Sequence, residues 1–134
     1  MTSKIRLEAL NWLKEAWADL KHAKNSLKCG DFNWSCFAAQ QAAEKALKAL
    51  LMGVGRKRAP HFLDLVKLYD DVKGEVKLPE DIAMRLGELS SYYTIARYPN
   101  AGLMSPSLGI TILQAESAIE IAEKVVKIVE KKLT

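Results

Sequence analysis

From Asp31 to Met52 the chain contains neither glycine nor proline, and its apolar residues recur at helical spacing. Trp34, Phe37, Gln41, Leu47, Leu50 and Leu51 stand among many alanines, so more than one face of the resulting helix is apolar. Short alanine side chains let neighbouring helices come close. Such an element is too apolar to be covered on one side only. That requirement limits the fold more than any other feature of the sequence. Asp31 or Asn33 is placed to cap its start, and Gly53 and Gly55 break it.

The other periodic segments fit around it. A first helix is expected from about Ser3 to Lys28, with Leu13, Ala16, Trp17, Leu20, Ala23 and Leu27 in one stripe. Ser3 caps its start and Gly30 ends it in a left-handed turn. Trp12, beside the stripe, widens the apolar face or meets a partner. Pro60 to Leu65 opens a shorter third helix that ends near Val72, with Phe62, Leu65, Val66, Leu68 and Tyr69 on its apolar side. Pro79, followed by Glu80 and Asp81, takes the first position of a fourth helix. Its stripe is Ile82, Leu86, Leu89, Tyr93 and Ala96, and it stops at about Tyr98, ahead of Pro99. The last helix begins near Ser105 or Ser107 and reaches about Lys132, with Ile110, Leu113, Ser117, Ile121, Val125, Ile128 and Val129 inward.

No strand pattern, internal repeat or low-complexity tail is visible. The expected architecture is all-α, a single domain over residues 1–134 built as an antiparallel up-and-down bundle of about five helices. Surplus apolar surface on the second and last helices points to a homodimer. With 134 residues, 49% apolar and 27% charged, the chain has the size and composition of one soluble domain. Its net charge of +4 suits a polyanionic ligand without demanding one. The most apolar stretch, Phe37 to Val54, is interrupted by Glu44, Lys45 and Lys48 and is no membrane span. Lys4 and Arg6 are not followed by an uninterrupted apolar run, so no signal peptide is expected and the reading is cytoplasmic, without a membrane. Cys29 and Cys36 make no metal pattern; two buried thiols are expected, a bridge between successive helices being the alternative.

Most catalytic constellations are missing: no Gly-rich phosphate loop, no HExxH, no nucleophile elbow. With only His22 and His61, and no acidic pair beside either, no metal site is expected. What remains is Arg97, in Ala96-Arg97-Tyr98-Pro99, at the end of a stiff element with its head near solvent. A guanidinium so placed matches phosphate oxygens, and it equally complements the helix dipole. His61, three residues before Asp64 at a helix start, reads either as a helix-start pair with Asp64 or as part of a polar site. Glu44 and Lys48, four apart, read as a helix-surface pair worth about 0.3–0.5 kcal/mol. Arg56, Lys57 and Arg58 form the local basic cluster, read as a solvated loop or a phosphate contact.

Four segments together resemble the HEPN domain family. They are Ala18-Asp19-Leu20 with Ala23; Ala38 through Leu51; Pro60-His61-Phe62-Leu63-Asp64-Leu65; and Tyr92 to Pro99, ending Ala-Arg-Tyr-Pro. The resemblance covers nearly the whole chain. It implies a dimeric helical bundle, association with nucleotides or RNA, and pairing with a small nucleotidyltransferase partner, sometimes as a toxin–antitoxin couple; no cofactor is expected. Many catalytically active members are metal-independent endoribonucleases in which four to six residues stand between the arginine and a histidine. Here those positions hold Gly102, Leu103 and Met104, none of which transfers a proton. The resemblance therefore implies the Ala-Arg-Tyr-Pro branch and binding rather than cleavage. The expected ligand-binding set is Arg97, Tyr98, Tyr93, His61, Asp64, Lys48 and Glu44. Two alternatives stand beside it: a ribonuclease toxin in which His61 replaces the missing histidine, and a purely structural dimerisation module.

Overall fold

The computed structural model describes residues 4–55 and 64–134. Ser3, the basic run Arg56 to Arg58, and Pro60, His61 and Phe62 lie outside the described residues. Helix α1 (Lys4–Lys28) ends on Gly30, whose φ of 80° is the left-handed geometry a glycine adopts without strain. The Gly30 amide donates to Leu27 O at 3.1 Å and the Asp31 amide to Ser26 O at 2.9 Å, the two bonds of a Schellman cap. Helix α2 (Phe32–Gly55) follows at once, with Asp31 O accepting from the Ser35 amide. Asn33 lies within this helix and its side chain serves another purpose, described below.

The described residues of the rest of the chain form α3 (Leu65–Val72), α4 (Glu80–Ala83), α5 (Leu86–Ile95), α6 (Pro106–Gly109) and α7 (Ile112–Leu133). Two expected helices are therefore broken. The fourth splits at Met84–Arg85, where Arg85 is fixed by α7: it donates to Glu120 Oε1 at 2.8 Å and to the Ser117 hydroxyl. Pro79 is the N-cap rather than the first helical residue, and Tyr92, not Tyr93, is the buried ring of α5. The last helix begins only at Ile112. Thr111 Oγ1 accepts from the Gln114 amide while Gln114 Oε1 accepts from the Thr111 amide, a reciprocal capping box that sets the start. Leu113 consequently points out to solvent, and the buried face starts at Ala115. Val66 is also exposed, because α3 starts at Leu65 with Asp64 as its N-cap, accepting from the Val66 amide at 3.0 Å.

Cross-helix bonds give the directions. Along α1, Trp17 donates to Glu130 and Lys24 pairs with Glu123, so α7 runs opposite to α1. Asp19 pairs with Lys45 and the Ser35 hydroxyl donates to Ala23 O, so α2 also runs opposite to α1. Asn33 at the start of α2 meets Ala96 at the end of α5. Helices α1, α2, α5 and α7 thus alternate up and down.

Helix α2 lies between α1 and α7. Ala39, Ala42, Ala43, Ala46 and Ala49 of α2 and Ala115 and Ala122 of α7 are fully buried, which permits the close approach. Each buried leucine among them, such as Leu47 and Leu50, contributes about 1.5–3 kcal/mol by leaving water. No described helix is long and apolar enough to cross a membrane.

The Glu44–Lys48 pair departs from the surface reading. Both residues are only 4% exposed. Lys48 Nζ lies 3.1 Å from Glu44 Oε2 and 5.5 Å from the Trp12 ring centre. Gln40, fully buried, donates to Glu44 Oε1 at 3.2 Å. Trp12 thus covers a charged network on α2. A buried pair of this kind adds little by forming, yet removing one partner strands the other charge. Lys48→Met is expected to destabilise the fold by about 3–5 kcal/mol in urea unfolding, whereas Glu44→Leu with Lys48→Met recovers most of that loss. A loss in the double variant equal to the sum of the losses in Lys48→Met and Glu44→Leu would show that the pair is not coupled.

Candidate functional site

Helix α5 ends at Ile95, and a turn carries the chain through Ala96 and Arg97: the amides of Arg97 and Tyr98 both donate to Thr94 O at 3.1 Å. Arg97 Nε donates to Tyr93 O at 2.7 Å, one turn back. One nitrogen of the guanidinium therefore satisfies the helix end, as the dipole reading expects. The rest of the group is enclosed by rings. Its central carbon is 4.5 Å from the Phe37 ring centre, 4.4 Å from Tyr93 and 4.8 Å from Tyr98. Phe37 in turn meets Trp34 edge-to-face at 5.9 Å and Tyr93 at 6.2 Å. Each cation–ring contact is worth about 0.5–2 kcal/mol, so three of them hold the guanidinium in one place. No carboxylate among the described residues forms an ion pair with it.

Three features fix the turn. Asn33 Nδ2 donates to the Ala96 carbonyl at 3.1 Å, tying α2 to the residue before Arg97; Ala96 is fully buried. Asn100 has φ 62° and donates its amide to Leu103 O at 2.8 Å, closing the loop after Pro99. Gly102, at φ 150°, packs so tightly that an added Cβ would lie 2.9 Å from Ile95 Cγ1. Leu103 is half-buried against the core, and Met104 is exposed. Of the three positions at which a histidine is sought, one thus has no room for a side chain and one is packed inward.

Of the expected site residues, Arg97, Tyr93 and Tyr98 come together. Glu44 lies seven residues beyond Phe37 on α2, about 10 Å along the helix, and is engaged with Lys48 beneath Trp12. Asp64 is occupied by the α3 cap. His61 lies outside the described residues. Asn33, Trp34 and Phe37 are residues that sequence reasoning does not place at this site. Their spacing of one, three and four puts them on one stretch of α2, but nothing local says that this stretch meets the end of α5.

Behind the rings lies a second polar group. Cys36 is buried, and burial pushes its thiol up to about 12, with the nearby Glu88 charge adding to the effect and a hydrogen bond with Tyr92 opposing it. Burial likewise raises the Tyr92 phenol, which accepts from Gln114 at 3.5 Å and contacts Glu88 at 3.4 Å. Cys29 is exposed, contrary to the expectation of two buried thiols, because it lies at the end of α1 beside Gly30; both cysteines are free. Elsewhere, a groove of about 490 Å3 between α1 and α7 is lined by three lysines (Lys24, Lys124 and Lys127) and three glutamates (Glu116, Glu120 and Glu123), with Lys24 and Lys127 both paired to Glu123. It therefore offers less to an anion than Arg97 does. Among the described residues no group of His, Cys, Asp and Glu side chains forms a metal ligand set.

This arrangement of helices has counterparts in known proteins. The model of the HEPN domain matches residues 9–132. The chain belongs to the HEPN domain family. Among solved structures it is similar to TT1696 from Thermus thermophilus, with 40% identity, a TM-score of 0.83, and 92% of this chain and 97% of that one covered. ST0689, an archaeal HEPN homologue, shares 28% identity with a TM-score of 0.76 over 94% of this chain and 98% of its own. An HEPN domain protein from Thermotoga maritima, tm0613, shares 28% identity at a TM-score of 0.70, covering 90% and 95%. Comparison with curated protein sequences gives no match.

In this HEPN domain, Asn33→Ala leaves the Ala96 carbonyl buried without its donor and is expected to destabilise the protein by about 1–3 kcal/mol, read by thermal or urea unfolding. The raised Cys36 thiol favours the folded state while it stays protonated. Its contribution is complete below the ordinary value of 9.0 and is lost as pH rises towards about 12. Unfolding free energy should fall through that window by up to about 1.4 kcal/mol per pH unit from this group, and less steeply in Cys36→Ala. At neutral pH a thiol reagent should modify Cys29 in the native protein and both cysteines after denaturation.

Proposed function

We propose that this HEPN protein binds the phosphate of a nucleotide or RNA at Arg97, and does so as a homodimer that works with a small nucleotidyltransferase-type partner. The observation that carries the proposal is the state of the Arg97 guanidinium. It is held by three rings and by Tyr93 O, and no described carboxylate pairs with it. A cation fixed in position and left with donors to spare is suited to an anion, because little ordering is lost when the anion arrives. The family supports the choice of phosphate. Exposed Met104, Leu108, Ile112 and Leu113, close in sequence, support a self-association surface. Binding rather than cleavage fits the loop, where Gly102, Leu103 and Met104 carry no proton-transferring group.

The test compares wild type with Arg97→Ala and Arg97→Lys for affinity towards nucleotides and short RNA. Losing a charge-assisted bond should weaken binding at least tenfold in Arg97→Ala. Lysine should recover only part, since it lacks the planar fork that both the rings and the phosphate match. Equal affinity in all three proteins would overturn the proposal.

A further inference from the structure

The aromatic residues of this chain are distributed unevenly. It has 3 tryptophans, 4 tyrosines and 3 phenylalanines. Among the described residues only Tyr92 is a buried aromatic, because the helices pack through alanine, leucine, isoleucine and valine. Most of the others lie half-covered at the edges of the core. Just two described aromatic residues are exposed: Trp34, 50% exposed, and Tyr98, 51% exposed. Both belong to the Arg97 cluster. The other large apolar residues that face solvent are aliphatic or methionine. Trp34 is one ring away from the guanidinium, through Phe37, and Tyr98 lies directly against it.

Trp34 is not among the rings that fix Arg97, and Tyr98, which is, still leaves about half of its surface open to solvent. A bare phosphate ion would gain nothing from two exposed apolar surfaces beside it. A nucleobase would, since every base offers a flat π-face to an aromatic side chain. The rings are also carried on stiff supports. Trp34 projects from the first turn of α2 and is braced edge-to-face against Phe37. Tyr98 precedes Pro99, whose loop is tightened by Asn100 and by Gly102 against Ile95.

The geometry points to a stacking platform. Trp34 and Tyr98 receive the base of an unpaired nucleotide whose phosphate is held by Arg97. The ligand class is thus single-stranded, base-bearing nucleic acid or a free nucleotide, rather than inorganic phosphate or a duplex, in which each base is already stacked between its neighbours. This rests on the phosphate-binding reading of Arg97. It adds to that reading a preference that phosphate contacts alone do not produce, because phosphate contacts carry no information about the base.

The test uses fluorescence anisotropy with a short labelled oligoadenylate, an abasic strand of the same length and a duplex of the same length, at fixed salt. Wild type is expected to bind the oligoadenylate about tenfold more tightly than the abasic strand or the duplex. Trp34→Ala and Tyr98→Ala should each remove most of that advantage, and Trp34→Ala, whose ring is not among those against Arg97, should leave abasic binding unchanged. Trp34→Phe should retain part of it, which separates stacking from a folding defect, with helical content and melting followed in parallel. Arg97→Ala should weaken all three ligands. Equal binding of oligoadenylate and abasic strand by wild type would overturn the stacking platform while leaving the Arg97 phosphate reading intact. No binding of any ligand would overturn both. If Trp34→Ala or Tyr98→Ala instead alters the oligomeric mass without changing the base preference, the rings serve self-association and the inference fails.

Discussion

Helix α2 has no side that faces water over its central turns, and everything else is arranged to cover it. Five alanines between Ala39 and Ala49 are fully buried, and they set how close α1 and α7 come. An alanine seam gains less from burial per residue than a leucine seam, but it brings backbones together and adds many weak contacts. It also leaves little room for error. Gly53, near the end of α2, lies where an added Cβ would run into Leu133 of α7. With α1 and α7 placed by this seam, α5 fills the remaining side, and its far end comes to the start of α2.

That last contact makes the site. Asn33, Trp34 and Phe37 belong to the first turns of α2, whereas Tyr93, Arg97 and Tyr98 belong to the end of α5 and the turn after it. The Asn33 bond to Ala96 O locks the two together. Arg97 is therefore neither a free surface cation nor a buried one. One nitrogen closes the helix end, and aromatic faces restrict the remainder. The dipole role and the ligand role, which look like alternatives in the sequence, are compatible in the structure because they use different atoms of one guanidinium.

Glu44 and Lys48 follow a different logic. Their spacing is that of an exposed helix pair, yet α1 lays Trp12 over them. Charge in a tightly packed interior stabilises little by itself, but it disfavours any register in which it lacks its partner. Gln40 completes the network on the same helix. Arg85 plays a comparable part on α7, where its bonds to Ser117 and Glu120 hold the break between α4 and α5.

Local chemistry is what can be read in advance. Gly30 ends α1 in a left-handed turn whatever surrounds it, and Pro99 fixes where α5 has to stop to within a turn. The Thr111–Gln114 box is also present in the sequence, as a threonine followed three residues later by glutamine, although a start at Ser105 or Ser107 is the simpler reading. Leu113 and Val66 fall outside the stripes expected of them because a helical stripe shifts with its starting residue. The sequence by itself determined an all-α chain, the helices and most of their ends, and an arginine held at a helix terminus. Only the tertiary structure decided which faces meet, because that choice is a competition among distant surfaces for burial. It put rings around Arg97, buried Glu44 with Lys48, and left Trp34 and Tyr98 facing solvent.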